Sequence, residues 1–319
     1  MTAALDLSVV IPVYNEEAGL AALFARLYPA LDALGLRYEA IFVNDGSRDR
    51  SAALLKAQFE ARPDVTRVVN FSSNYGQHMA IVAGFERVRG ERVVTLDADL
   101  QNPPEEIARL LAAMDAGADY VGGVRATRED AWWRRVASRA MNRLRERITK
   151  IRMTDQGCML RAYSRDIADA IAATPEVSTF IPALAYTFAH HPAEVEVAHA
   201  ERAAGESKYS LYRLIRLNFD LVTGFSVVPL QMFSLLGMAV SILSAIIYVV
   251  YIAERAINGT LTDGIASLWD RDILEFFLIG IVLFGLGIVG EYVGRIYQQV
   301  RERPRYRVRS VLERDIDPR

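Results

Sequence analysis

Apolar and polar positions alternate in two rhythms along the first 125 residues. Leu7 to Val13 is a β-branched run that stops at Tyr14-Asn15-Glu16-Glu17. Leu20, Leu23, Phe24, Leu27, Leu31 and Leu34 then recur at three- and four-residue steps, which predicts a helix. The alternation repeats. Tyr38 to Val43 reads as a strand ended by Asn44-Asp45-Gly46-Ser47, and a helix runs from about Arg50 to Glu60. Val65 to Asn70 reads as a third strand, and Asn74-Tyr75-Gly76-Gln77-His78 leads into a helix through Val88. A fourth apolar run, Val93 to Leu96, passes directly into Asp97-Ala98-Asp99-Leu100-Gln101-Asn102-Pro103-Pro104. The prolines stop that strand and begin a helix whose first turn carries Glu105 and Glu106. Tyr120 to Val124 is a fifth strand, ending at Arg125. Strands alternating with helices in this way predict an α/β fold, Rossmann-like, with a mostly parallel sheet and helices on both faces.

The pattern then changes. Ala131 to Lys150 predicts a basic helix with Trp132 and Trp133 at its start, an amphipathic combination suited to lipid headgroups. Thr154 to Arg161 reads as a loop entering a short strand, and Asp155, on spacing alone, as a turn residue. His190 and His191 fit no ligand spacing and read as structural. Gly205-Glu206-Ser207-Lys208, with Arg202 just before it, is a polar stretch whose cations can close over phosphates. Tyr209 to Phe225 is amphipathic and predicts an interfacial helix. Val227 to Ala253 and Ile273 to Val289 are almost uncharged, each near the ~20 residues that a spanning helix needs. The loop between them is acidic, and Arg295, Arg301, Arg303, Arg305, Arg307 and Arg309 follow, so the positive-inside tendency puts both chain ends in the cytoplasm. The expected division is a cytosolic domain over 1–208, an interfacial helix over 209–225, a transmembrane hairpin over 226–294 (helices near 230–253 and 273–294) and an arginine-rich tail over 295–319. Gly290 and Gly294 form a G-x-x-x-G that would let helices approach closely.

Composition adds three limits. The formal net charge of −2 gives no electrostatic footprint for nucleic acid. Cys158 is the only cysteine, so no internal disulfide forms and a reducing, cytosolic setting fits. The N-terminus lacks the basic segment and apolar core of a secretory signal.

Candidate chemistry gathers at the strand ends. Residues two apart on an extended chain point the same way, so Asp97 and Asp99 can aim at one point. A hard divalent cation, Mg²⁺ or Mn²⁺, is the natural partner for such an oxygen pair and commonly shares its shell with phosphates. In open α/β sheets, ligands bind beyond the carboxyl ends of the strands, where Tyr14-Asn15-Glu16 and Asp45 also fall. A Walker-type phosphate loop is absent, and the single G-x-G-x-x-G, Gly285 to Gly290, lies inside an apolar run. A nucleotide here is therefore held through a cation. A cytosolic metal–nucleotide site joined to membrane helices points to glycosyl transfer from a nucleotide-sugar to a lipid. A lipid phosphate is already largely ionised, its second pKa being about 6, so it needs cations and orientation more than a base.

Val10-Ile11-Pro12-Val13-Tyr14-Asn15-Glu16-Glu17, Asn44-Asp45-Gly46-Ser47 and Asp97-Ala98-Asp99-Leu100-Gln101 resemble the inverting GT-A glycosyltransferases of family two. Gln101-Asn102-Pro103-Pro104-Glu105 and Gly205-Glu206-Ser207-Lys208 resemble the polyprenyl-phosphate branch. Asn74 to His78, Gly157 to Tyr163, Ser178 to Pro182 and Gly290 to Tyr297 are similar to the members that transfer 4-deoxy-4-formamido-L-arabinose. The resemblance implies a UDP-sugar donor, undecaprenyl phosphate as acceptor, surrounding membrane lipid, a bacterial inner-membrane location, a homo-oligomer and a role in lipid A modification. Transfer of a glucosyl or hexosaminyl group for another surface glycan is the alternative. It also implies roles residue by residue. Pro12, Tyr14, Glu16 and Asp45 would contact base and ribose. Asp97, Asp99 and Gln101 would hold the metal and diphosphate. Arg125, Arg134, Ser138, Arg202 and Lys208 would hold donor or acceptor phosphates. Asp155 occupies the place of the family's base-like aspartate. Gln156 and Ala204 depart from what the arabinose enzymes carry beside that aspartate and before Gly205. A processive polysaccharide synthase would want a Q-x-x-R-W motif, which the chain lacks. A non-catalytic membrane anchor would have no use for intact Asp97, Asp99 and Gln101.

Overall fold

The computed structural model describes residues 5–125, 153–155, 157–174, 180–199, 223, 226–258, 268–300 and 304–314. The predicted basic helix over 131–150, the interfacial segment over 209–225 except Thr223, and the Gly205-to-Lys208 stretch lie outside them. The chain forms two compact units: Met1–Asn142 with Ile151–Lys208 and Arg303–Arg319, and Arg143–Lys150 with Tyr209–Glu302.

The first unit is built on one eight-stranded sheet among the described residues. Its strands are β1 (Leu5–Val13), β2 (Tyr38–Asn44), β3 (Thr66–Phe71), β4 (Gly90–Thr95), β5 (Tyr120–Arg125), β6 (Arg161–Ser164), β7 (Pro192–Val197) and β8 (Val308–Leu312). The order across the sheet is β7-β5-β6-β4-β1-β2-β3-β8, with β6 and β8 antiparallel to their neighbours and every other pairing parallel. The chain walks outward from β1 through β2 to β3, then returns to the far side of β1 as β4. The order thus reverses between β1 and β4, and a ligand crevice belongs there. The five strands and intervening helices expected from periodicity are present, within a few residues.

The helices are α1 (Leu20–Asp32), α2 (Ser51–Ala61), α3 (Gln77–Phe85), α4 (Ile107–Asp115), α5 (Arg165–Ala173) and α6 (Ile181–Phe188). Alternation along β1 splits the core. Leu7, Val9, Ile11 and Val13 pack with Leu20, Leu23, Leu27 and Leu31 of α1, Leu55 of α2 and Ile107, Leu110 and Leu111 of α4. Val10 faces the other way, toward α3, where Gly84 is required: a Cβ there would lie 2.3 Å from Val10 Cγ1. Pro104–Glu106 forms a 3-10 turn before α4, with both glutamates in that first turn as predicted.

The arginine-rich tail contributes more than charge. Its residues 308–312 form β8, paired antiparallel with β3. The strand is pinned by Glu313, which accepts from Arg67 Nη2 at 2.6 Å and from Arg89 Nη2 at 3.1 Å. Arg67 also pairs with Glu39 at 2.9 Å, and that buried carboxylate accepts from Ser8 Oγ and the Arg89 N–H. Tyr306 stacks on Phe71 with centroids 4.7 Å apart.

The loop after β2 depends on Gly46. Its φ is +68°, and a Cβ would sit 2.4 Å from the Ser73 carbonyl carbon. Gly46→Ala is therefore expected to lower stability by at least about 1–2 kcal/mol, the left-handed penalty alone. Chemical denaturation of the purified variant reads that loss directly.

The second unit contains α7 (Val228–Asn258) and α8 (Leu268–Val300). The two touch where Phe233 covers Gly285, leaving no room for a Cβ there. Among the described residues nothing lies within 4 Å of a Cβ built on Gly290 or Gly294. Among the described residues the contact between α7 and α8 is thus made at Gly285, five residues before Gly290, where the ring of Phe233 lies on bare backbone. Tyr292 Oη donates to the Ser226 carbonyl at 2.6 Å. Leu278–Tyr297 is long and apolar enough to cross a membrane, and Val228–Val240 is a shorter apolar stretch.

Candidate active site

Four strand ends converge on the crevice between β1 and β4. The Asp45 N–H donates to the Val13 carbonyl at 2.9 Å and the Leu96 N–H to the Val10 carbonyl at 3.1 Å, so the segments carrying Asp45 and Asp97 leave the sheet beside the end of β1. Pro12 lies on β1 opposite Val43. Tyr14 is exposed just past the strand, its ring presented to solvent at the mouth. Asn15 takes a positive φ of 54°. Its Oδ1 accepts the Arg48 N–H at 2.8 Å while its own N–H donates to Ser47 Oγ at 3.0 Å. The Glu16 N–H donates to Ser51 Oγ and the Glu17 N–H to Asp49 Oδ2. The loops after β1 and β2 therefore brace each other, which fixes one wall.

Asp45 is buried and accepts two backbone donors from the start of α3, the Tyr75 N–H at 2.7 Å and the Gly76 N–H at 2.9 Å. Burial raises its pKa, and the two N–H donors offset only part of that rise. Gly76 reaches this position with φ of +95°. The same loop supplies a contact that the sequence pattern gave no role: Gln77 Nε2 donates to Asp97 Oδ1 at 2.6 Å. His78, next in line, is pushed toward its neutral form by burial and packs edge-on against Phe180 at 5.9 Å.

Asp97 and Asp99 follow β4, half-buried, with Ala98 buried between them. Leu100 adopts φ of +59°, an uncommon conformation for a leucine, and the turn it makes lets Asp99 Oδ1 accept the Gln101 N–H at 3.1 Å. Asp97, Asp99 and Gln101 could offer a cation oxygen donors only, the chemistry a hard divalent cation selects. Among the described residues no group of three or more His, Cys, Asp or Glu side chains assembles by itself. A cation here would take two carboxylates and fill its remaining positions from an amide, water and ligand phosphates.

Beyond β6, on the same edge of the sheet, Arg125 and Asp155 form a bidentate pair. Arg125 Nε donates to Asp155 Oδ2 at 2.6 Å and Nη2 to Oδ1 at 2.8 Å. The Gly157 N–H adds a third bond at 3.0 Å, and a side chain at Gly157 would collide with the guanidinium. Burial acts to raise the Asp155 pKa, but the Arg125 pair and the Gly157 N–H more than offset it and leave the carboxyl below its usual value. Stability from this pair is therefore present above the unfolded carboxylate pKa of about 3.9 and lost as pH falls through the lower folded value. The melting-temperature gap between the wild-type protein and Asp155→Asn is expected to hold from pH 8 to 5 and to shrink only below about pH 4. A gap that closes near pH 6 would mean a raised pKa instead.

Behind this pair lies Arg161, fully buried. Its Nε donates to the Cys158 carbonyl at 2.8 Å, Nη1 to Tyr120 Oη at 2.5 Å and Nη2 to the Asp155 carbonyl at 2.7 Å. No carboxylate pairs with it among the bonds of the described residues; the loop's own carbonyls take the charge. Periodicity alone cannot single out such a residue, because an arginine at the first position of a short strand reads as an exposed edge. Arg134, Ser138, Gln156, Arg202, Ala204 and Lys208 lie outside the described residues.

Residues 8–172 match the model of glycosyl transferase family 2. The chain belongs to that family. This glycosyltransferase is 46% identical over 313 residues to the undecaprenyl-phosphate 4-deoxy-4-formamido-L-arabinose transferase of Aeromonas hydrophila, covering 98% of this chain and 95% of that protein. It is 49% identical to the protein of the same name from Pseudomonas aeruginosa, covering 96% and 90%. Among solved structures it is similar to glucosyl-3-phosphoglycerate synthase from Mycobacterium tuberculosis in complex with Mn²⁺, UDP-glucose and phosphoglyceric acid. That likeness has 18% identity and a TM-score of 0.46 and covers 69% of this chain and 78% of the other. The family model spans β1 through most of α5 of this glycosyltransferase, the stretch that contains Asp45, Asp97, Asp99, Arg125 and Asp155.

Proposed function

We propose that this glycosyltransferase moves a sugar from a UDP-sugar, specifically UDP-4-deoxy-4-formamido-L-arabinose, to undecaprenyl phosphate at the cytoplasmic face of a bacterial inner membrane, for lipid A modification. The observation that carries the reading is similarity at 46–49% identity across nearly the whole chain to transferases of that name.

In the proposed reaction, an acceptor phosphate oxygen attacks the anomeric carbon as the bond from that carbon to the diphosphate oxygen breaks. UDP departs with the electron pair and the anomeric configuration inverts. Asp45, beside Pro12, Tyr14 and Glu16, receives the base and ribose. Asp97, Asp99 and Gln101 hold Mg²⁺ or Mn²⁺. A cation bound there would supply neutralisation of the charge gathering on the departing diphosphate. Arg125, Arg134, Ser138, Arg202 and Lys208 hold phosphates and orient the attack. Asp155, held low in pKa by Arg125, is a poor proton acceptor near neutral pH. Its role in this scheme is to aim the Arg125 guanidinium, and the ionised acceptor supplies its own nucleophile.

A membrane hairpin of α7 and α8 is supported by exposed Leu235, Leu236, Ile242 and Leu243 on one helix and Val282, Leu283, Phe284 and Leu286 on the other. Topology gives independent support. β7 and β8 belong to one sheet, so the chain between them crosses any bilayer an even number of times. The domain division 1–208, 209–225, 226–294 and 295–319 is kept with β8 returned to the catalytic unit, and assembly as a homo-oligomer belongs to the same proposal.

Membranes containing the protein, incubated with labelled UDP-sugar and undecaprenyl phosphate, are expected to form a labelled glycolipid. Excess EDTA should abolish the product and added Mg²⁺ or Mn²⁺ restore it. Undiminished product in EDTA would remove the metal from the scheme.

A further inference from the structure

The edge of the sheet formed by β2, β3 and β8 borders a cavity of about 660 Å³ that shares the loop after β2 with one wall of the site above but lies outside the crevice itself. None of Pro12, Tyr14, Glu16, Asp45, Asp97, Asp99, Arg125 or Asp155 lines it. Three cations do: Arg48 from the loop after β2, Lys56 from α2 and Arg309 from β8. No aspartate or glutamate is among the lining residues. Among the described residues, the ion pair made by these three is that of Lys56 with Glu60 at 3.7 Å on an exposed helix face, a pair worth little in water.

The floor is ordered and polar. Asn44 and Asn70 lie opposite each other in register, and Asn70 faces Ser310 across the next pairing. Asn44 Nδ2 donates to Asn70 Oδ1 at 2.9 Å and Asn70 Nδ2 to Ser310 Oγ at 3.2 Å. This amide relay ties three strands together beneath the cations and carries no net charge. Three like charges around one polar cavity repel one another, and a polyvalent anion relieves that repulsion. The volume falls in the range that small ligands occupy.

We propose that this cavity is a second anion site, taking a phosphate-bearing ligand with two or more negative charges. The ligand is either a free diphosphate or the headgroup of an anionic lipid. Because Arg309 stands on β8 while Arg48 and Lys56 stand on the β2–α2 side, an occupant ties the returning C-terminal strand to the catalytic unit. Occupancy then stabilises the folded protein by mass action.

The test uses the full chain in EDTA, where anions have no metal to recruit them to Asp97 and Asp99. One arm titrates pyrophosphate into detergent-solubilised protein. The other compares nanodiscs of phosphatidylcholine alone with nanodiscs containing phosphatidylglycerol. Melting temperature is the readout in both. A rise of several degrees is expected in at least one arm, and which arm responds identifies the source of the phosphate. The rise should shrink as NaCl goes from 50 to 500 mM, since the three cations are exposed. The triple variant Arg48→Gln/Lys56→Gln/Arg309→Gln should need at least ten times more ligand for the same rise and melt like the wild type without it. The single variant Lys56→Glu, on an exposed helix face, should weaken the response in the same direction and leave basal glycolipid synthesis unchanged. No stabilisation in either arm, or an equal response from the triple variant, overturns the proposal.

Discussion

Asp99→Asn is expected to lower glycolipid synthesis by about a thousandfold or more while the protein keeps its fold, and Asp97→Asn is expected to do the same. Both carboxylates stand at the point where the strand order reverses, beside the end of β1. Neither is part of the hydrophobic core, and an asparagine oxygen can still accept the Gln101 N–H or the Gln77 amide. What the substitution removes is the negative charge that the proposed cation, and through it the departing diphosphate, would rely on. A thousandfold loss corresponds to about 4 kcal/mol of transition-state stabilisation, the scale expected when a charge-neutralising group is lost. Steady-state rates across an Mg²⁺ and Mn²⁺ series, with melting curves alongside, check both halves. A variant that melts like the wild type and turns over at more than a tenth of its rate would take Asp99 out of the metal site.

Arg161→Met should be the most destabilising single change near the site. The side chain is fully buried, and removing it strands three acceptors: the Cys158 carbonyl, the Asp155 carbonyl and Tyr120 Oη. Each stranded acceptor costs about 1–3 kcal/mol, so a loss of roughly 3–6 kcal/mol is expected even after some relaxation. The damage should spread to catalysis, because the carbonyl of Asp155 is one of the three and the Asp155 side chain aims Arg125. Arg161→Lys should not rescue it, since a single ammonium cannot reach three acceptors spread around a planar fork. Denaturant midpoints for Arg161→Met and Arg161→Lys against the wild type measure this. A full rescue by lysine would mean that charge alone, not the fork geometry, holds the loop.

Much of this organisation is legible in the sequence because it rests on local chemistry. Period-two and period-three-to-four patterns locate β1 to β5 and α1 to α4, since each element buries one face against the same sheet. The paired Asp97 and Asp99 stand out because an apolar strand runs directly into them. What escapes has non-local causes. β8 hides in a run of arginines because an edge strand pinned by Arg67–Glu313 and Tyr306–Phe71 contacts needs little apolar character of its own. β7 alternates Ala193, Val195 and Val197 against Glu194 and Glu196, but the run is short, begins with a proline and buries only Val197 fully, so it stands out little from a loop. The Arg125–Asp155 pair joins two residues that separate reasoning gives separate tasks, and only the fold brings them within 2.6 Å. Gln77 reaches Asp97 from the first turn of α3, a contact that no spacing rule encodes.

The most direct test of the proposed reaction is mass spectrometry of the lipid formed by purified protein with undecaprenyl phosphate, Mg²⁺ and a panel of UDP-sugars. The panel contains the 4-deoxy-4-formamido-L-arabinose, glucose, N-acetylglucosamine and N-acetylgalactosamine donors. A formamido-arabinosyl phosphate lipid as the sole product is the expected result. A hexosyl or hexosaminyl lipid in its place would contradict the donor assignment and keep the metal site and the inverting displacement. No lipid product from any donor would contradict transfer to undecaprenyl phosphate itself.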